Sequence, residues 1–114
     1  MTTIYHNPRC SKSRATLELL KSQGIEPRVI LYLEQPPDAE TIKLITNQLG
    51  CSISDIIRKG ERIYKELALA TNTLSENELI DTVAKHPGLL ERPIVVNDGK
   101  AAVGRPPENV LSIL

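Results

Sequence analysis

Two β-prone runs flank one helix-spaced segment at the start of this chain, and that order restricts the fold more than any other feature. Thr2-Thr3-Ile4-Tyr5 ends at Asn7-Pro8, and Arg28-Val29-Ile30-Leu31-Tyr32-Leu33 ends before Pro36-Pro37. Between them Leu17, Leu20 and Ile25, with Thr16 and Leu19 alongside, recur at helical spacing, closed by Gly24. Strand, helix and strand in that order make a βαβ unit, so the two strands should be parallel. At 114 residues with a 40% hydrophobic share, the chain has enough apolar surface for one domain, residues 1–114.

The middle of the chain changes character. Ile42, Ile45 and Leu49 mark a second helix stopping at Gly50, and Ser52 with Asp55 has the spacing of a capping box that can start a third. Lys65 to Ala70 continues helical composition, and Ser75-Glu76-Asn77-Glu78 is a second capping box ahead of Leu79, Ile80 and Val83. Residues from about 38 to 86 therefore read as helical, ending at Pro87-Gly88. Strand signals then return. Pro93-Ile94-Val95-Val96 and Ala101-Ala102-Val103 are joined through Asn97-Asp98-Gly99-Lys100, a hairpin signal. Pro107 suits the first turn of a short last helix carrying Val110, Leu111 and Leu114. The plan is α/β and thioredoxin-like, with a helical insertion between a βαβ half and a ββα half.

Charge removes some function classes. Lys plus Arg and Asp plus Glu are 14 each, so the formal charge is zero and gives no global support for nucleic-acid or anionic-membrane binding. A local basic pocket for a small anion stays open. No N-terminal run resembles a signal peptide and none is long enough to span a bilayer, which makes the cytoplasm the expected location. In that reducing compartment the two cysteines should be free thiols.

Cys10 carries the chemical signal. It stands in Asn7-Pro8-Arg9-Cys10-Ser11-Lys12-Ser13-Arg14, where extended chain gives way to helix. Free N–H groups of a first helical turn and its dipole favour an anion there. Arg9, Lys12 and Arg14 add positive charge, and Ser11 and Ser13 can donate hydrogen bonds to sulfur. These influences push the thiol pKa down. An ordinary cysteine near pKa 8.5 is only about 3% ionised at pH 7, so a drop of about two units would make it mostly thiolate. The competing reading is a packed structural cysteine, against which the neighbours are polar and basic rather than apolar. Cys51, after Gly50, reads as a packed small residue rather than a resolving thiol, and Tyr5, Tyr32 and Tyr64 read as core or partly buried rings.

Other thiol and metal signatures are missing. Three positions after Cys10 stands Ser13, so there is no dithiol Cys-x-x-Cys, and six positions after it stands Thr16 where a low-molecular-weight phosphatase loop needs arginine. There is no Gly-rich nucleotide loop, and His6 and His86 with two distant cysteines lack zinc spacing. No metal and no tightly bound cofactor are expected.

Four blocks in order, Tyr5 to Arg14, Tyr32-Leu33-Glu34 with Pro36-Pro37, Glu91-Arg92-Pro93-Ile94-Val95-Val96 and Gly104-Arg105-Pro106-Pro107-Glu108, resemble the glutaredoxin-dependent arsenate reductase family. The likeness spans essentially the whole chain and is closest to the short ArsC-like members. It implies that Cys10 is the cysteine that attacks arsenic, that Arg58, Arg92 and Arg105 surround the oxyanion, and that His6 and Ser13 are polar residues beside the thiolate. Lys12 and Arg14 are supporting cations on the local reading. The resemblance also implies a cis Arg92-Pro93 bond, glutathione as co-substrate, glutaredoxin as partner and a role in arsenic detoxification. A monomer is expected. Ser11 and Lys12 depart from the glycine and threonine often found at those positions in arsenate reductases of the family.

The arginines have plainer readings on sequence alone. Arg58 lies in the charged run Arg58-Lys59-Gly60-Glu61-Arg62, Arg92 follows Glu91 as a surface ion pair would, and Arg105 is fixed between Gly104 and Pro106-Pro107. Three functions compete: an arsenate reductase, a thiol oxidoreductase for another oxyanion or a glutathionylated substrate, and a non-enzymatic regulator like the Spx proteins that share the fold. Spx-like proteins often carry the Cys-x-x-Cys switch that this chain lacks, which favours an enzyme.

Overall fold

Chain order and hydrogen bonding together explain the sheet. The computed structural model describes residues 1–71 and 73–114, which fall into two compact units, 1–35 with 92–114 and 36–91. In the first unit β1 (Thr2–His6) is followed by α1 (Ser11–Ser22) and β2 (Arg28–Leu31), and β3 (Ile94–Asn97) and β4 (Lys100–Val103) follow the second unit. β1 pairs in parallel with β2, Thr3 opposite Arg28 and His6 opposite Leu31. On its other side β1 runs antiparallel to β3, with Ile4 opposite Val95, and β3 is antiparallel to β4. The sheet order β2-β1-β3-β4 is thioredoxin-like. The β1–β3 pairing joins the two ends of the chain and places the start of α1 and the Arg92-Pro93 segment at the same end of neighbouring strands.

Local chemistry sets the boundaries. Gly24 takes φ +77°, letting the Ile25 N–H reach back to the Leu20 carbonyl and turn Ile25 onto the core. Asp98 and Gly99 both have positive φ, the two-residue turn that matches the twist of a hairpin. Ile4, Leu20, Val95 and Val110 form a fully enclosed cluster, with Leu17, Ile25, Ala102 and Ile113 packed against it.

The last helix is a 3-10 segment, Pro107–Ile113, rather than an α-helix. Its three-residue repeat puts Val110 and Ile113 on the core side and leaves Leu111 and Leu114 exposed. β2 is also shorter than the apolar run suggests. It stops at Leu31, where the Glu34 and Gln35 N–H groups both return to the Leu31 carbonyl.

The second unit is helical. It holds α2 (Ala39–Leu49), a 3-10 turn (Ile53–Ile56), α3 (Arg62–Glu66), α4 (Glu76–Lys85) and a second 3-10 turn (Pro87–Leu89). Asp38 caps α2 by accepting the Thr41 N–H, and Gly50 ends it at φ +71°. Both capping boxes form, Ser52 with Asp55 and Ser75 with Glu78. The first of them starts only one 3-10 turn, because Ile57 is extended and bridges Leu90. α3 is shorter than the composition of 65–70 suggests: Ala68 is left-handed and Leu69 N–H closes onto the Tyr64 carbonyl. Residue 72, inside the stretch expected to be helical, lies outside the described residues. Among the described residues no helix is long and apolar enough to cross a membrane.

Candidate active site

The turn between β1 and α1 is built by side chains that leave the first helical N–H groups to a ligand at residue 10. Asn7 Oδ1 accepts the Arg9 N–H at 3.0 Å, and the Cys10 N–H returns to the Asn7 carbonyl at 3.0 Å. Cys10 is the residue before the first turn of α1, in extended conformation, and makes no side-chain cap of its own. The backbone N–H groups of Ser13 and Lys12 nonetheless lower the pKa of its thiol. The free N–H groups and dipole of this first turn favour an anion at the N-cap position.

Ser13 ties strand to helix. Fully buried, its Oγ lies 2.6 Å from His6 Nδ1 and accepts the Asn7 N–H at 3.0 Å. Burial, with the charges of Arg14 and Lys21 behind it, holds His6 below the usual histidine range and so neutral at pH 7. Arg14 and Lys12 are exposed, and Arg14 Nη1 bonds the Pro8 carbonyl at 2.9 Å. The Lys12 backbone N–H, rather than its ammonium, is among the groups that lower the Cys10 pKa.

Two arginines from the other end of the unit converge on the sulfur. Arg105 Nη1 lies 3.8 Å from Cys10 Sγ and 3.2 Å from the Arg92 carbonyl. The Arg92 guanidinium also favours the thiolate over the thiol. For Cys10, burial is the largest single influence and opposes ionisation. The Ser13 N–H, the Arg92 side chain, the Lys12 N–H and the Arg92 charge outweigh it, so the thiol sits below its ordinary value. Arg92–Pro93 is cis, as the resemblance implies, and so is Arg105–Pro106. Gly104 allows this approach: a Cβ there would collide with Thr16 Oγ1 and lie 2.8 Å from Pro93 Cγ.

Arg58 belongs to the second unit and is already engaged. Its Nε is 3.0 Å from Glu61 and its Nη1 3.5 Å from Glu91. The Ile57–Leu90 bridge, with Arg58 N–H on the Leu89 carbonyl at 2.7 Å, fixes its backbone. Arg58 is thus a structured, carboxylate-paired residue rather than a solvated member of a charged run. Cys51, also in the second unit, is a free thiol held above its ordinary value by burial and by Asp55 and Glu76. Among the described residues no three His, Cys, Asp or Glu side chains cluster as metal ligands would.

Two residues at this site were not singled out from sequence. Asn7 shapes the turn, and its place before Pro8 is the signal that could have found it. Tyr32, read as a core or partly buried ring, is buried, and Arg92, Asn7 and Cys10 act on its hydroxyl. No periodicity separates such a tyrosine from an ordinary core ring.

The description of the ArsC family matches residues 5–113. The chain belongs to the ArsC family. It is 56% identical over 112 residues to the uncharacterized protein YfgD of Escherichia coli K12, covering 97% of this chain and 94% of that one. A protein of Neisseria meningitidis serogroup B named arsenate reductase is 51% identical, with 97% and 96% covered. The solved structure of an arsenate reductase from Vibrio cholerae superposes with a TM-score of 0.96 at 53% identity, covering 99% of this chain and 97% of that one. Within this ArsC-family chain, Cys10 is a thiol of lowered pKa set beside the Arg92 and Arg105 guanidinium groups.

Proposed function

We propose that the protein is a cytoplasmic arsenate reductase that uses Cys10 as nucleophile and glutathione and glutaredoxin as reductants. The single observation that carries this reading is the Cys10 thiol, lowered in pKa at the start of α1 with Arg105 Nη1 at 3.8 Å. Family membership and relatives named arsenate reductase support the substrate.

In this scheme Arg92 and Arg105 hold arsenate by charge-assisted bonds, joined by Arg58 as the family resemblance implies. Cys10 thiolate attacks arsenic, forming an S–As bond as an As–O bond breaks and the oxygen leaves as water after protonation. The glutathione thiol displaces a second oxygen in the same way. A glutaredoxin thiolate then attacks the glutathione sulfur, and the S–As bonding pair stays on arsenic. Arsenic falls from the +5 to the +3 state while glutaredoxin and glutathione are oxidised to a mixed disulfide. Water displaces arsenite and returns Cys10 as thiolate. An external thiol is required because Ser13 stands where a Cys-x-x-Cys protein has its second cysteine.

The test is arsenite production by the purified protein with glutathione and glutaredoxin, each omitted in turn. Turnover that needs all three supports the scheme. Loss of arsenite only on omitting arsenate or the protein would remove the external thiols from it. A second reading, an oxidoreductase for glutathionylated substrates, is favoured by the engagement of Arg58 with Glu61 and Glu91, which offsets one of the three implied anion-binding charges. Deglutathionylation without arsenite release would select it.

A further inference from the structure

Tyr32 is 1% exposed, and its hydroxyl is enclosed with no group at hydrogen-bond geometry among the described residues. A phenol sealed in this way is unusual, since a buried donor without an acceptor costs free energy that a phenylalanine would not. Its surroundings show why none of the neighbours suffices. Leu31 pairs with His6, so Tyr32, one residue on, lies at the end of the sheet where β1 gives way to the Cys10 turn, and Arg92, Asn7 and Cys10 all act on its hydroxyl without meeting hydrogen-bond geometry. A guanidinium has donors only, so Arg92 can serve the phenol oxygen but cannot take its proton. Asn7 Oδ1 accepts the Arg9 N–H and does not reach hydrogen-bond geometry with the phenol. Burial and the nearby Cys10 charge hold the phenol protonated, against the pull of Arg92 and Asn7. The result is a neutral O–H donor, fixed by its packed ring at the end of the sheet that carries the nucleophile, with no acceptor among the described residues.

We propose that Tyr32 is a further substrate-contacting residue, whose phenol O–H donates a hydrogen bond to an oxygen of the oxyanion held at Cys10. Arg92 and Arg105 then supply charge and Tyr32 supplies a directed neutral donor. A site that aims a buried donor at a substrate oxygen discriminates against ligands lacking that oxygen, because they leave the donor unmet. The inference rests on the oxyanion reading given above and adds a recognition element to it.

Tyr32→Phe keeps the ring and removes only the hydroxyl. Four measurements on it and the parent decide the matter: melting temperature, the pH profile of Cys10 alkylation, protection of Cys10 from alkylation by arsenate and by inorganic phosphate, and arsenate kcat/KM with glutathione and glutaredoxin. The variant should melt no lower than the parent. It should need about 10-fold more anion for half protection and lose kcat/KM by a similar factor. Equal protection in parent and variant overturns the inference alone. A parent that neither anion protects overturns the oxyanion reading and this inference with it. A lower melting temperature with weakened protection makes the hydroxyl a structural group, and an upward move of the Cys10 alkylation pH profile with unchanged protection makes it a partner of the thiolate. Either result overturns the assignment.

Discussion

Arg105 spans Cys10 and Arg92: one nitrogen, Nη1, lies 3.8 Å from the Cys10 sulfur and donates to the Arg92 carbonyl at 3.2 Å. The cation beside the nucleophile is thereby anchored to the backbone of the second cation's own residue. A planar fork can hold one bond while directing other N–H groups at a ligand, which an ammonium on a flexible stem does less well.

Arg105→Ala and Arg92→Ala should each reduce arsenate kcat/KM by about 2–4 kcal/mol of transition-state stabilisation, with lysine restoring only part of it. Arg58→Ala should cost less activity, because Glu61 and Glu91 already take up its charge. Steady-state kinetics on folded variants provide the check. Near-parental values for both Arg92→Ala and Arg105→Ala would reject the pocket even if Cys10 proved reactive.

The rate of alkylation at Cys10 should inflect below the ordinary cysteine value, and Arg92→Ala should move the inflection upward. Cys51, held above its ordinary value, should react only at more alkaline pH, and Cys51→Ser should keep most glutathione-dependent turnover while Cys10→Ser abolishes it. The folding linkage has a definite sign. A lowered folded-state pKa on an acid means stability fully present above the unfolded cysteine value and lost as pH falls through the folded one. Cys10→Ser should therefore lose stability relative to the parent at alkaline pH and little at acid pH, read as melting temperature across that window.

His6 should impose the opposite chemical limit, at acid pH. Burial, then Arg14 and Lys21, lower its folded-state pKa, so the unfolded chain binds the extra proton first as pH falls. Stability from its neutral, Ser13-bonded form is fully present above the unfolded histidine value near pKa 6.5 and declines as pH drops from there towards the folded value. Melting temperature should fall through that range in the parent and respond less in His6→Asn. Identical pH profiles would show that His6 does not control the decline.

Periodicity and turn chemistry made much of this fold readable: the parallel β1–β2 pair, the Asp98-Gly99 hairpin and both capping boxes follow from local sequence. Long-range facts did not. The β1–β3 pairing, the shortening of the Ser52 segment by the Ile57–Leu90 bridge and the Arg58 ion pair with Glu91 each join residues far apart in the chain. Cys10 was legible because its helix-start position is a local property. The grouping of Arg92 and Arg105 came from resemblance, and Tyr32 was missed because the contact of a buried hydroxyl leaves no trace in hydrophobic spacing.

Gly104 offers the most direct test of how the scaffold holds Arg105. Its N–H donates to the Pro93 carbonyl at 2.9 Å, and its carbonyl lies 3.4 Å from Thr16 Oγ1 on α1. With no side chain, it lets β4 leave the sheet between Thr16 and Pro93, one residue before Arg105. An added methyl group would collide with Thr16 Oγ1, on a fully buried side chain that cannot swing into solvent, and would press on Pro93. Gly104→Ala should therefore destabilise the protein by about 1–3 kcal/mol, the usual range for overpacking. It should also displace Arg105 from Cys10, raising the pH at which Cys10 alkylation inflects and lowering arsenate kcat/KM. Adding Thr16→Ser, which removes one of the methyl contacts but leaves the oxygen, should recover only part of the loss. Thr16→Ala, which removes both, should recover more. Chemical denaturation of the single and double variants measures the ordering, and a Gly104→Ala protein as stable as the parent would show that the approach of these segments is not limiting.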